Sequence, residues 1–173
     1  KLIERVFPGS VARELRLKGS NITRDYPNVT ILFADLVNYT KLSSKYPPKQ
    51  LVALLHELFN QFDRLADRYG VEKIKTIGDA YMAAAGCPEA AADHAERVAK
   101  FALALIRRIE KFNRQFGTEL NIRIGIHTGP VIAGVITGKR ISFDLWGDAV
   151  NMTSRLQTNA DPGEILISEA TSR

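Results

Sequence analysis

Cysteine is scarce in this chain of 173 residues, and long apolar runs and a dominant charge of one sign are missing from it. A single cysteine, Cys87, excludes an internal disulfide framework and fits a reducing compartment. No apolar run approaches the roughly 20 residues that span a bilayer, and no signal-peptide pattern opens the chain, so a soluble, cytoplasmic domain is expected. The 24 basic and 19 acidic residues leave +5, spread along the chain. Such a charge suits a polyanionic ligand, but it is equally an ordinary solvated surface. Without a clustered basic patch interleaved with aromatics, a nucleic-acid binder is not expected. Internal repeats are absent as well, which excludes a solenoid.

What is present is one domain's worth of core: 45% hydrophobic content over this length is enough for one compact unit and short for two. The chain begins at Lys1 and stops in a stretch that reads as the first turn of a helix, so an excised piece of a longer protein is expected. Residues 1–27 read as a connecting segment, with Leu2, Val6, Val11 and Leu15 at helical spacing and a break at Lys18-Gly-Ser-Asn21. A short helix packed on its own domain is the competing reading. Residues 28–173 form the main domain.

Its first strand, Val29 to Ala34, is almost wholly apolar, as for a strand buried on both faces. A short polar helix or turn over 38–46 precedes a long helix starting at Pro47-Pro48. There Leu51, Leu54, Leu55, Leu58, Phe59, Phe62, Leu65, Ala66 and Tyr69 recur at steps of three and four until Gly70. Asp93 can cap a second long helix whose stripe is Val98, Ala102, Leu105, Ile109, Phe112 and Phe116. Leu120, Ile122, Ile124 and Ile126 then alternate with Asn121, Arg123, Gly125 and His127, a period of two that sets the latter four on the opposite face. Turns are expected at Gly129-Pro130 and Gly138-Lys139, an extended run over 141–146, a helix over 147–158 and a last strand over 164–168. Helices interrupting strands in this order predict an α+β sandwich, a mostly antiparallel sheet with the two long helices on one face.

The stretch EKIKTIGDAYMAAAG, residues 72–86, reads as a tight hairpin with Gly78-Asp79 at its turn and Lys75 on one arm. Asp35 ends the first apolar run, 44 positions earlier. Two carboxylates at strand ends can converge on a divalent cation if their strands are neighbours. A helix cap and a turn residue are the bland alternatives.

FADLVNYT (33–40), EKIKTIGDAYMAAAG (72–86), IRIGIHTGPVIAGVIT (122–137) and FDLWGDAVNMTSRL (143–156) lie in one order and together resemble the catalytic domain of the class III nucleotidyl cyclases, adenylate-specific branch. The resemblance covers most of the chain from Val29 onward. It implies a ferredoxin-like core that works as a homodimer with composite sites, and a connection to an upstream sensor or regulatory domain. It implies that Asp35 and Asp79, with the Leu36 carbonyl, hold two divalent metal ions, Mg or Mn, and that the amides of Asn38, Tyr39 and Thr40 cradle phosphate. Arg123 is implied to contact substrate phosphates, Asn151 to orient the ribose, and Arg155 to stabilise charge on the α-phosphate. In the family, Asp35, Asp79 and Arg123 come from one subunit, and Lys75, Asp144, Asn151 and Arg155 from its partner. A later lysine that contacts the terminal phosphates falls outside these residues.

Lys75 and Asp144 bear on base choice. Adenine offers an amino donor and a ring-nitrogen acceptor on one edge, which a carboxylate and an ammonium complement, whereas guanine presents the reverse pattern. Guanylate-specific members typically have Glu and Cys at these two places. ATP is therefore the expected substrate, converted to 3′,5′-cyclic AMP and pyrophosphate. A guanylate cyclase and a non-catalytic nucleotide-binding dimerisation module are the alternatives. His56, His94 and His127 receive no chemical role.

Overall fold

Strands β1 (Thr23–Val37) and β4 (Asn121–Thr137) pair antiparallel along most of their lengths and form the spine of the domain. The computed structural model describes residues 7–9, 11–13, 22–137 and 141–172. β3 (Ala80–Ala85) lies on the other side of β1, with β2 (Glu72–Ile77) and β5 (Ile141–Trp146) outermost, in the order β2-β3-β1-β4-β5. A short β6 (Ile165–Ile167) joins β4 in parallel, the one departure from antiparallel pairing among the described strands. The expected α+β sandwich is the observed architecture.

Period-two alternation divides the sheet into two apolar faces. Leu32, Ala34, Tyr81, Ala83, Ile122, Ile124 and Ile126 meet the long helices α2 (Pro48–Tyr69) and α3 (His94–Phe116) in the main core. Each helix ends on a glycine in the left-handed region, Gly70 at φ 68° and Gly117 at φ 65°, a conformation that costs a side-chain-bearing residue about 1 kcal/mol or more. Ile31, Met82, Val131, Ala133, Phe143 and Leu145 point the other way into a second core, which also takes Phe7, Val11 and Ala12. Those three side chains belong to the stretch read as a connecting segment, and they pack on the domain.

Three local expectations change. β1 is longer than the apolar run that marks it, because its first residues, mostly exposed, pair with Val131 to Gly134 of β4. Gly129-Pro130 makes no turn: β4 runs straight through it. Pro130 stands where the β1–β4 register shifts between Tyr26 and Val29, and a bulge tolerates a residue that has no N–H to donate. Asp93 precedes α3 without a side-chain capping bond, because its carboxylate is paired with Arg97 Nε at 2.8 Å. Helix α4 (Asp148–Asn159) lies across the Arg123 face of β4 at Gly125 and Gly129, and leaves Arg123 itself partly exposed. The expected turn at Gly138-Lys139 falls outside the described residues. A seven-residue helix α1 (Tyr39–Lys45) follows β1, and α5 (Glu169–Ser172) follows β6.

Candidate active site

Pairing of β1 with both neighbours brings three of the candidate side chains together. Asp35 stands opposite Ala80 on one side and Arg123 on the other. Asp79 occupies the turn before Ala80, where Gly78 takes φ 59°, and its carbonyl accepts the Leu36 N–H at 3.2 Å. That bond ties the turn to β1 beside Asp35. Arg123 Nη2 reaches Asp35 Oδ2 at 3.3 Å, and its Nη1 donates to the Thr158 carbonyl at 3.3 Å. Its Nε is buried without a partner among the described residues.

Burial pushes the Asp79 carboxyl above the ordinary aspartate value, and the neighbouring Asp35 charge pushes it further, with Arg123 acting in the opposite direction. A carboxylate whose proton affinity is raised by a second carboxylate beside it marks a site for positive charge. Among the described residues no group of three or more His, Cys, Asp and Glu side chains could cage a metal by itself. A pair of aspartates supplies hard oxygen donors of the kind Mg or Mn takes together with phosphate oxygens and water. The donor set of Asp35, Asp79 and the Leu36 carbonyl is therefore compatible with the divalent ions the sequence led us to expect.

Lys75 and Asp144 form a second group. Though β2 and β5 are the outermost strands in the main strand order, Lys75 Nζ lies 2.8 Å from Asp144 Oδ2. The sheet is curled enough to bring its two edges together, and the bulge between Lys73 and Lys75 contributes to the local twist. Asp144 is held in place by the backbone of the next residue, with Oδ1 accepting the Leu145 N–H at 2.8 Å. Both side chains line a cleft of about 610 Å³, whose wall also includes Asp63, Lys73 and Phe143, a volume in the range of small-molecule sites.

Helix α4 carries the third group. Ala149, Thr153 and Gln157 recur every four residues and are buried, while Asn151 and Arg155 lie on the opposite, exposed side. The helix rests on glycines of β4. A Cβ on Gly125 would lie 2.3 Å from the Gln157 nitrogen, and one on Gly129 would lie 3.1 Å from Ala149 Cβ. This close approach lets Gln157 Nε2 reach Asp35 Oδ2 at 3.5 Å.

Asn38, Tyr39 and Thr40 lie at the start of α1. Asn38 adopts φ 71°, and its side-chain amide donates to the Glu119 carbonyl at 3.2 Å. The Tyr39 ring packs against the main core and Thr40 is exposed. His127 bonds Ser168 Oγ at 2.7 Å, and His94 bonds the buried Thr30 hydroxyl at 2.6 Å, in keeping with structural roles. Sequence reasoning missed Gln157, the Thr158 carbonyl, and the Asp63 carboxylate that accepts from Tyr81 and Lys73 at 2.7 and 3.0 Å. Only the four-residue recurrence of Ala149, Thr153 and Gln157 could have pointed to the first.

Residues 22–173 match the model of the adenylate and guanylate cyclase catalytic domain. The chain is similar to an adenylate cyclase of Mycobacterium tuberculosis, 38% identical over 96% of this chain and 38% of that protein. It is similar also to a membrane guanylyl cyclase of Dictyostelium discoideum, 37% identical over 98% of this chain and 12% of that one. Among solved structures, the catalytic core of a rhodopsin-guanylyl cyclase with converted specificity, in complex with ATPαS, superimposes with a TM-score of 0.84 at 42% identity, covering 88% of this chain and 83% of that one. The chain belongs to the adenylate and guanylate cyclase catalytic domain family. It spans well under half the length of the two curated relatives, and since these include both adenylate and guanylate cyclases, kinship alone leaves the base open.

Proposed function

We propose that this domain is an adenylate cyclase, converting ATP to 3′,5′-cyclic AMP and pyrophosphate at two equivalent sites shared between the subunits of a homodimer. The observation that carries the choice of base is the Lys75–Asp144 pair, 2.8 Å apart in the wall of a cleft. An ammonium and a carboxylate side by side match the ring-nitrogen acceptor and amino donor of adenine, and mismatch guanine at both points. Until a base arrives, each satisfies the other, so neither charge stands uncompensated.

The dimer reading is supported by exposure. Asn151 and Arg155 face outward from α4, whereas Gln157 on the buried side of the same helix touches Asp35. A second copy related by a twofold axis would receive the outward pair at its own acid site and return the equivalent pair. Asp35, Asp79 and the Leu36 carbonyl would hold two Mg or Mn ions, which when bound supply positive charge to the ribose 3′ hydroxyl and to the β- and γ-phosphates. Arg123 and the amides at 38–40 bind phosphate, and Asn151 orients the ribose. The 3′ oxygen forms its bond to the α-phosphorus as the bond to the bridging oxygen breaks. Its proton leaves to solvent, pyrophosphate departs, and Arg155 stabilises the charge that builds on the α-phosphate. The reading carries with it a cytoplasmic location, where ATP is supplied, and a link through the residues ahead of β1 to a regulatory part of the full-length protein.

Product formation from ATP and GTP, assayed in parallel with Mg and with Mn, tests the reading. Cyclic AMP should form at least about 10-fold faster than cyclic GMP, and Lys75→Glu combined with Asp144→Cys should reverse that order. Equal rates on the two nucleotides in the unmodified enzyme would overturn the assignment of the base-reading pair.

A further inference from the structure

Helix α4 touches chemistry on both of its sides. Its buried strip ends in Gln157, 8% exposed, with its amide on Asp35 Oδ2 at 3.5 Å, and the next carbonyl, Thr158, accepts from Arg123 Nη1 at 3.3 Å. Its exposed strip presents Asn151 and Arg155. Two contacts with β4 prevent the helix from yielding independently of the sheet. Backbone meets backbone at Gly125, where even a methyl group would overlap Gln157 and Thr153, and side chain meets backbone where Ala149 lies against Gly129. Thr153, with no exposed surface, fills the interval and bonds the Ala149 carbonyl at 2.7 Å. A helix of twelve residues held at both ends moves as one body.

We infer that α4 ties the two active sites of the dimer together: through Gln157 and the Thr158 carbonyl it positions Asp35 and Arg123 of one site, while its outer face delivers Asn151 and Arg155 to the other. This rests on the composite-site reading proposed above. A substrate that draws Arg123 from the Thr158 carbonyl, or Asp35 from Gln157, releases the end of α4 in one site and shifts the pair that α4 supplies to its neighbour. Coupling of that kind is reciprocal between the sites. Gln157 is a positioning residue, acting on the phosphate-binding and acid groups without touching the nucleotide.

A mixed dimer isolates the effect. One copy carries Asp79→Ala and the other Arg155→Ala, co-expressed in the full-length protein with different affinity tags and purified through both. One site then combines an intact acid group with an intact Arg155, and the other loses both. Turnover of about half the wild-type rate is expected, since one of two symmetry-related sites survives. Asp35→Asn is then added to the copy that already carries Asp79→Ala. It alters a residue of the disabled site alone, so only a path through α4 lets it act on the live one. A fall in live-site kcat of about threefold or more, with KM for ATP within about twofold, is the expected result. Gln157→Leu in the same copy should give the same fall, and the two together no more than either alone. Unchanged kcat in the restored mixed dimer would overturn the coupling and leave the composite sites standing. Additive losses would overturn the path through Gln157. If the starting mixed dimer regains no activity at all, the composite-site reading itself fails, and the coupling with it.

Discussion

Gly125→Ala is the smallest change that loads the joint between α4 and the sheet. The added Cβ would lie 2.3 Å from the Gln157 nitrogen, 2.8 Å from Gln157 Cα and 2.8 Å from the Thr153 carbonyl oxygen, whereas ordinary contact begins at 3.4 Å. All three are backbone atoms, so no rotamer change relieves the overlap, and α4 must retreat by about 1 Å. Overpacking on that scale costs about 1–3 kcal/mol. At roughly 2–4 °C per kcal/mol for a domain of this size, Tm should fall by about 2–12 °C. The same retreat stretches the Gln157 contact to Asp35 and the Arg123 bond to the Thr158 carbonyl, and it moves Arg155 outward. A 1 Å misplacement of catalytic groups costs on the order of 100-fold in rate, so turnover should collapse at temperatures where the variant is still folded. Calorimetry gives the first quantity and steady-state cyclic nucleotide formation well below Tm the second. Gly9→Ala, where a Cβ meets nothing within 4 Å, serves as the neutral control. A Gly125→Ala enzyme that melts within about 1 °C of wild type and turns over within about twofold of it would refute the packing argument.

Two stability predictions concern polar groups in and beside the wall of the Lys75–Asp144 cleft. Burial, aided by the charges of Asp67 and Glu89, pushes the Glu72 carboxyl from 4.5 up to about 7. The folded state therefore holds a proton that the unfolded chain has released, and stability is lost as pH rises from about 4.5 through about 7. Glu72→Gln should remove that slope and raise Tm most at pH 8, by less than the roughly 3 kcal/mol of full linkage because solvent screens a partly exposed group. Parallel Tm-against-pH curves for variant and wild type would contradict this. Tyr81→Phe removes the hydroxyl that donates to Asp63 at 2.7 Å and leaves that carboxylate to Lys73 at 3.0 Å. A loss of about 1.5–3 kcal/mol is expected by chemical denaturation, and a loss below about 0.5 kcal/mol would show the bond to be replaced by water.

Local pattern reveals an element when the residues that define it are neighbours in the chain. The stripes from Leu51 to Tyr69 and from Val98 to Phe116 made α2 and α3 legible, and Gly70 and Gly117 their ends. Alternation over Leu120 to His127 made part of β4 legible. It failed at Gly129-Pro130, where the turn signature is real but a long partner strand with its own register shift holds the chain extended. It failed also at Asp93, whose capping chemistry competes with an arginine one turn away. The acid pair could be named from strand ends, since strand neighbours place Asp35 beside Ala80. Gln157 could not, because its value lies in a contact with a residue 122 positions away.

The amino-acid sequence by itself determined most of the elements, the antiparallel α+β class, and the chemical types available: two aspartates, an arginine on a strand, a lysine and an aspartate on two further strands, and an asparagine and arginine on one side of a helix. Tertiary structure alone decided which of these meet. Curling of the sheet joins Lys75 to Asp144 across its two outermost strands, and the bare backbone at Gly125 lets α4 settle close enough for Gln157 to reach Asp35. Periodicity records which side of an element is apolar. The distance between two such sides is set by the packing of everything between them, which no local pattern encodes.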